Sequence, residues 1–179
     1  AAGSNVRFSA IERGNGITRV SIDAFLNAAG ASFDARTLNI LGGESSSHHR
    51  LHIYHNAPET TSTQLSRNLL DGNATASYDG SVIVNADCTK AFSSQLVNTI
   101  LLSDGPSVSV KPVPKIYHDD VECTHGNTVG ELDAEQMFYL VSRGIPEKAA
   151  RKMLMNAFAF DTFAPLPEGP AKKRLLQEI

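Results

Sequence analysis

Cysteine is scarce in this chain of 179 residues, which carries only Cys88 and Cys123. A disulfide scaffold of this length would normally hold more cysteines, so two isolated thiols indicate a reducing compartment. No apolar run approaches the length of a membrane-spanning helix, and residues 1–30 lack the basic start and apolar middle of a signal peptide. The sequence therefore predicts neither a disulfide framework nor a membrane span.

An excess of charge of either sign is also lacking, because 16 basic and 19 acidic residues leave a formal net charge of −3. No basic stripe is present, so no nucleic-acid partner is predicted. The glycine-rich phosphate motifs, Walker A and G-x-G-x-x-G, are missing as well. The chain is therefore not expected to hydrolyse nucleotides itself.

Short β-prone runs fill the chain up to about residue 130. Several alternate apolar and polar positions, which is the period of a strand with one buried face, whereas Gln64–Leu70 is not clearly a strand pattern. A sandwich, a barrel and a β-solenoid all remain open on this pattern. Hairpin dipeptides are nearly absent, which favours a solenoid, because solenoid coils join by corners. The runs are Ile17–Ile22, Leu38–Leu41, Leu51–Tyr54, Val82–Val84, Leu96–Leu102, Val108–Val113 and Val121–Glu122.

After residue 130 the apolar spacing becomes helical. Asp133 is placed to cap a first helix, Gly144 to end it, and Pro146 to begin a second. A last short helix is predicted over Ala171–Glu178. These features predict a β core in residues 1–130 and a small helical domain in residues 131–179.

The first two helices carry apolar stripes that are predicted to pack against each other. The stripes consist of Met137, Leu140 and Val141 in the first helix and of Ala150, Met153, Leu154 and Ala157 in the second. Lys148, Arg151 and Lys152 are then expected to point into solvent.

Four of the six histidines, His48, His49, His52 and His55, fall within eight residues of a β-prone run. On a strand, His49 would share one face with Leu51, and His48 and His52 would share the other. A metal site would need two or more of them to converge with another ligand, and no cysteine or acidic residue nearby completes such a set. A polar strand face without a metal is the competing interpretation.

The segment from His118 to Gly126 concentrates two histidines, a cysteine and three carboxylates. Cys123 and His125 are two positions apart, so on a strand their side chains would share a face. A thiolate and an imidazole suit iron, iron–sulfur clusters or zinc, although two ligands do not complete a site. A purely structural cluster and a Cys–His nucleophile remain alternatives, and no oxyanion hole or orienting residue supports the nucleophile.

The same segment carries a family resemblance. Residues 119–133, DDVECTHGNTVGELD, resemble the "DDVxCxHGATVGxLD" segment of the SufD family, and Phe138–Ile145 resembles its "FYLxSRGI". Upstream, Tyr78–Val84 resembles the family's "FxGxIxV". The similarity covers roughly residues 50–160, so the chain resembles the C-terminal half of a SufD-type protein.

This resemblance implies a right-handed parallel β-helix followed by a small helical domain. It implies a non-catalytic scaffold subunit of the SUF iron–sulfur cluster assembly complex, paired with a SufB-like sister subunit and a SufC-like ATPase. His125, with Cys123 beside it, would lie at the SufB–SufD junction and hold a transient iron–sulfur cluster that the partner completes, so the isolated chain would bind none. The ATPase is expected at a helical surface that includes Met137, Tyr139, Arg143, Lys148, Arg151 and Lys152.

The resemblance also places the chain in a plastid stroma or a bacterial cytoplasm. The alternative function is a SufD-derived docking subunit, recruited into a larger assembly without cluster-assembly activity.

Overall fold

The computed structural model describes residues 1–14 and 16–179. Within them the chain forms nine strands followed by three helices. The strands are β1 (Asn5–Gly14), β2 (Ile17–Leu26), β3 (Ser32–Leu41), β4 (Ser46–His55), β5 (Thr61–Leu70), β6 (Thr75–Val84), β7 (Ala91–Leu101), β8 (Ser107–Ile116) and β9 (Val121–Gly130). The helices are α1 (Ala134–Ser142), α2 (Glu147–Phe163) and α3 (Pro170–Gln177).

The strands build a parallel β-solenoid of about four turns, which confirms the predicted fold class. Odd-numbered strands form a five-stranded sheet in the order β1-β3-β5-β7-β9, and even-numbered strands form a four-stranded sheet in the order β2-β4-β6-β8. Every pairing is parallel, so each coil adds one strand to each sheet. The sandwich and the barrel that the sequence left open are thereby excluded.

The coils vary in length: three of the seven strand pairings are offset by 29 residues, and the others by 27 to 32. Asn85 donates a side-chain hydrogen bond of 2.6 Å to Asn56, and Asn56 donates one of 2.7 Å to Asn27, each across 29 positions. These exposed amides form a ladder that ties successive corners together. Later contacts span 31 positions, as between Asn68 and Thr99, which is why no clean period appears in the sequence.

The interior of the solenoid is unusually polar. A buried ladder joins Asn39 to Asn68 and Asn68 to Thr99, with hydrogen bonds of 2.7 and 2.9 Å. Gln64–Leu70, which the pattern did not identify as a strand, lies within β5, with Gln64 and Asn68 buried. The prediction failed there because its inward positions are hydrogen-bonded polar residues rather than apolar ones.

The helices confirm the predicted caps. The Asp133 carboxylate accepts hydrogen bonds from the backbone N–H groups of Glu135 and Gln136, and Gly144 has a φ of 84° just after the end of α1. In the described part of the chain, no helix combines the length and the apolar character that crossing a membrane requires. The last strand ends at Gly130, close to the predicted boundary, and the division into two domains stays a prediction.

Helices α1 and α2 contact each other as predicted, but the predicted interface between them is only partly correct. Helix α2 lies on the outer face of the five-stranded sheet, where Ala159, Phe163 and the following Leu166 pack against Leu38 of β3 and Leu69 of β5. Met153, Val141 and Ala157, assigned to a hairpin core, are exposed, with Met153 49% and Val141 43% accessible.

Two arginines of the sheet anchor α2 by polar contacts. Arg67 donates a hydrogen bond of 2.6 Å to the Phe158 carbonyl oxygen and pairs with the Asp161 carboxylate. Arg36 donates one of 3.2 Å to the carbonyl oxygen of Thr162. These bonds use carbonyl groups near the C-terminal end of α2, where cations are favoured.

Candidate functional site

The solenoid ends at β8 and β9, which are the edge strands of their sheets. Throughout the stack, outward-facing residues at strand starts donate their amides to the preceding coil, with N–O distances of 2.8–3.0 Å. The backbone N–H groups bond to backbone carbonyl oxygens in these pairs, donor first: Ser32 and Ser4, Ser46 and Gly16, Thr61 and Ala31, Thr75 and Ser45, Phe92 and Thr60, Ser107 and Ala74. Because successive amides along a strand point to opposite edges, inward-facing residues direct theirs toward the next coil. In β8 and β9 these amides face the open edge.

Cys123 and His125 lie on β9 with their side chains on the same face. Their register partners on β7 are Ser93 and Gln95, both of which are buried and inward-facing. Cys123 and His125 thus continue two interior rows of the solenoid at the point where the stack stops. His125 is exposed, whereas Cys123 is partly buried.

The row below Cys123 is a continuous hydrogen-bonded line. The Ser93 and Ser62 hydroxyls are 2.9 Å apart, Ser62 lies 2.9 Å from His55 Nε2, and Thr60 Oγ1 lies 2.8 Å from His55 Nδ1. Burial lowers the pKa of His55 to about 4. His55 is therefore neutral at physiological pH, and both of its ring nitrogens are occupied by hydroxyl partners.

The thiol of Cys123 is protonated at neutral pH. Burial, and then the neighbouring Glu122 carboxylate, raise the pKa of this thiol above its ordinary value, while the backbone N–H of Ser93 opposes them. The thiol packs against a small apolar cluster that includes Val84 and Cys88. Since the thiolate is the form that binds metals, Cys123 is a poor ligand until a metal or a base removes its proton.

We expect alkylation of Cys123 by iodoacetamide to be slow at pH 7.5 and to accelerate at a higher pH than for an unstructured cysteine peptide. The raised pKa means that less thiolate is present at neutral pH. The measurement is the pH dependence of the alkylation rate, followed by intact-mass spectrometry.

The control for that measurement is Cys123→Ser, which leaves only the fully buried Cys88. This variant should remain unmodified until the protein is unfolded. If the alkylation rate of Cys123 rises at the same pH as that of the peptide standard, or at a lower pH, the conclusion that the thiol is protonated at neutral pH is wrong.

Strand alternation separates the four clustered histidines. His49 and His55 point inward, whereas His48 and His52 point outward. Each has its own partner: His48 lies 2.7 Å from the Ser77 hydroxyl, His49 2.8 Å from the Glu12 carboxylate, and Arg50 donates a 2.9 Å bond to His52. They do not converge, so the polar-strand interpretation is the one that the geometry supports.

No three potential ligands come together as a metal site would require, as judged over residues 1–14 and 16–179. Cys123 and His125 supply two donors on one strand face, and iron–sulfur clusters generally need about four ligands. Two donors on one strand face therefore do not complete such a site.

The helical residues predicted to bind a partner have mixed surroundings. Tyr139 is 57% exposed and carries the Arg143 guanidinium 5.0 Å from its ring centroid. Lys148 and Lys152 are exposed, and Met137 is half-buried. Arg151 differs from the others because it donates a hydrogen bond to the Leu102 carbonyl oxygen, and so ties α2 to the end of β7.

Sequence reasoning missed an exposed apolar surface on α1 and α2. Phe138 is 75% exposed, and Val141, Met153 and Phe160 are also exposed. The signal available in the sequence was the pair of adjacent bulky residues Phe138 and Tyr139, which lie outside the predicted stripe of Met137, Leu140 and Val141.

Taken together, these features define a class of protein: a β-solenoid with a thiol and an imidazole on its open strand edge and a short helical segment on its flank. Residues 1–158 match the family model of the SufBD core domain of SUF-system iron–sulfur cluster assembly, and the chain belongs to this family.

Three curated proteins illustrate the similarity. The chain is 35% identical over 130 residues to the iron–sulfur cluster assembly protein SufD of Escherichia coli, covering 73% of this chain and 31% of that protein. It is 34% identical over 140 residues to a SufBD family protein of Synechocystis, covering 78% and 31%. It is 35% identical over 92 residues to protein ABCI7, chloroplastic, of Arabidopsis thaliana, covering 51% and 19%. The chain thus spans about a third or less of these relatives.

Proposed function

We propose that this chain is a non-catalytic scaffold subunit in iron–sulfur cluster assembly, and that it supplies His125, with Cys123 beside it, to a cluster formed at a junction with a SufB-like sister subunit. The observation that carries the proposal is the position of both side chains on β9, at the open end of a SufBD core. An imidazole binds iron while neutral, so His125 is the primary ligand. Cys123 must first lose a proton, which makes it the secondary one.

The open edge favours pairing through β9 rather than β8. Pro112 and Pro114 occupy inward-facing positions of β8, in register with the buried Gly80 and Val82. At these positions the amide would face the open edge, and proline has no N–H to offer. On β9 the corresponding positions, including Cys123, His125 and Asn127, keep their donors. A sister strand can therefore add to the five-stranded sheet and lie directly beside His125.

Replacing Asn127 by proline should weaken binding of the sister subunit by tenfold or more. The variant removes one edge N–H donor from β9, just as Pro112 and Pro114 remove edge donors from β8. It leaves in place the amides of β9 that bind β7. The variant loses one or two edge hydrogen bonds, at about 1 kcal/mol each, and the proline ring displaces the incoming sister strand. Together these effects account for the tenfold loss of affinity. Titration calorimetry or biolayer interferometry with the purified sister subunit measures the change.

Pro114→Val is the matched control because it restores a donor on the other edge strand. It should leave the affinity unchanged or slightly higher. If Asn127→Pro binds the sister subunit as tightly as the parent, with an unchanged circular dichroism spectrum, pairing through β9 is wrong.

The exposed apolar residues of α1 and α2 form the surface on which a SufC-like ATPase would dock. Phe138, Tyr139, Val141 and Met153 present apolar side chains, and Arg143, Lys148 and Lys152 add cations around them. Aromatic and arginine side chains are enriched at such interfaces. ATP hydrolysis would occur in that partner. The relatives point to a bacterial cytoplasm or a plastid stroma as the compartment in which the complex works.

Anaerobic reconstitution tests the proposal. The chain is combined with purified SufB-like and SufC-like subunits, ferrous iron and a sulfide source, and the visible absorption of the complex is recorded. Cluster formation that depends on this chain supports the scaffold function. Equal cluster formation when the chain is left out would favour the docking subunit instead.

A further inference from the structure

A cavity of about 760 Å³ lies between β1 and α3. Its lining includes Ile11 of β1, which is in register with Leu38 of β3, so the cavity lies on the same outer face of the five-stranded sheet as α2. Strands β1 and β9 are at opposite ends of that sheet, and the cavity is therefore separate from Cys123 and His125. Small-molecule sites commonly measure about 300–1,000 Å³, so the cavity has the size of a ligand site.

The floor of the cavity is aliphatic. Ile11, Leu166 and Leu175 line it, and the same three residues pack in the apolar cluster around Phe163. Leu166 is buried, and Ile11 and Leu175 are half-buried. The floor is thus held in place by the packing of α2 and α3 on the sheet, and it offers an apolar surface to a bound molecule.

Positive charge surrounds this floor. Within the described part of the chain, Arg7, Arg13, Lys172 and Arg174 line the cavity against a single carboxylate, that of Glu178. This local excess of positive charge contrasts with the net charge of −3 of the whole chain.

Two of the four cations are free to bind a ligand. Arg13 and Lys172 already donate hydrogen bonds to other groups of the protein. Arg7 and Arg174 are exposed, and over residues 1–14 and 16–179 neither forms a hydrogen bond or an ion pair. A guanidinium group is a planar fork that pairs with a carboxylate or a phosphate through two parallel hydrogen bonds. The free groups at this cavity therefore match an oxyanion.

We propose that this cavity is a binding site for a small organic anion with an apolar body. The aliphatic floor takes the body, and Arg7 and Arg174 pair with the oxyanion head, which is a carboxylate or a phosphate. The site adds a ligand-binding activity to the chain and does not depend on its proposed part in cluster assembly.

The test is a fluorescence titration of the whole chain at pH 7.5 with 2-naphthoate, 2-naphthyl phosphate and the neutral 2-naphthol. The chain contains no tryptophan, so the naphthyl signal is read without interference. At least one of the two anions should bind saturably and about tenfold or more tighter than 2-naphthol, and the tighter one identifies the preferred head. Arg7→Gln and Arg174→Gln should each weaken that anion by about tenfold, the value of a hydrogen bond between charged groups, and leave 2-naphthol unchanged.

Lys173→Gln is the matched control, because it removes one positive charge from an exposed position of α3 that does not line the cavity. It should bind all three probes as the parent does. Ala171→Phe places a ring in the cavity and should weaken all three. Lack of saturable binding by both anions would overturn the proposal, as would a loss in Lys173→Gln equal to that in the two arginine variants.

Discussion

Replacement of His125 by alanine is expected to lower the cluster yield of the reconstituted complex by about 10- to 100-fold or more, the range seen when a metal site loses even a supporting contact. The ring is exposed at the open edge, so its removal takes away little buried surface. The fold and the affinity for the sister subunit should therefore stay near those of the parent.

Thr124→Ala is the matched control, since Thr124 lies between Cys123 and His125 on the same strand and faces the other side. It should assemble clusters at the parental level. Cys123→Ala should reduce the yield less than His125→Ala, because the raised pKa of the thiol makes it the weaker ligand at neutral pH. Parental yields from both the His125 and Cys123 variants would place the assembly site elsewhere.

Phe163→Ala is expected to lower the free energy of unfolding by about 3–5 kcal/mol, the usual cost of truncating a buried aromatic side chain. Phe163 is fully buried and joins α2 to Leu38 and Leu69 on the outer face of the five-stranded sheet. Loss of this contact should release the helices from the solenoid. Urea denaturation followed by circular dichroism measures the change.

Phe160→Ala on the same helix is the control for that experiment, because Phe160 is 40% exposed. It should change stability by less than about 1 kcal/mol, as surface substitutions usually do. Met153→Asp should be similarly mild, in contrast to the hairpin core that the sequence predicted. A large loss of stability in Met153→Asp, with little in Phe163→Ala, would restore the original packing scheme.

The fold class could be predicted from the sequence, but the repeat could not. Alternating runs such as Val108–Val113 identified strands, the shortage of hairpin turns leaned toward a solenoid, and the SufD resemblance implied a parallel β-helix. The interior of β5 is lined by Gln64, Ser66 and Asn68, which hydrogen-bond to side chains of other strands and leave no apolar period to detect. Only the three-dimensional stacking shows that these polar residues share rows.

In the helical segment, the apolar periodicity predicted which residues form helices but not which surface each helix packs against. The caps at Asp133 and Gly144 were predicted correctly because they depend on local chemistry. The partner of the apolar stripe in α2 was not, because Leu38 and Leu69 present their side chains from distant strands. A stripe shows that a helix has a buried face, but it does not identify the surface that covers this face.

The pairing of Cys123 with His125 could be predicted from the sequence, but the residues that surround the pair could not. The spacing of Cys123 and His125 indicated a shared strand face, and the family resemblance singled out His125. The buried hydrogen bonds among Gln64, Gln95 and Tyr78 could not be inferred, since these residues lie up to 31 positions apart and meet only when the coils stack.

The central claim is that a ring nitrogen of His125 binds iron in a cluster shared with the sister subunit. Pulsed electron paramagnetic resonance of the reduced cluster tests it most directly, with ¹⁵N-histidine incorporated only into this chain before assembly. A strongly coupled ¹⁵N signal that disappears in His125→Ala is the predicted result. A cluster that forms in normal yield with no ¹⁵N coupling from this chain would contradict the account.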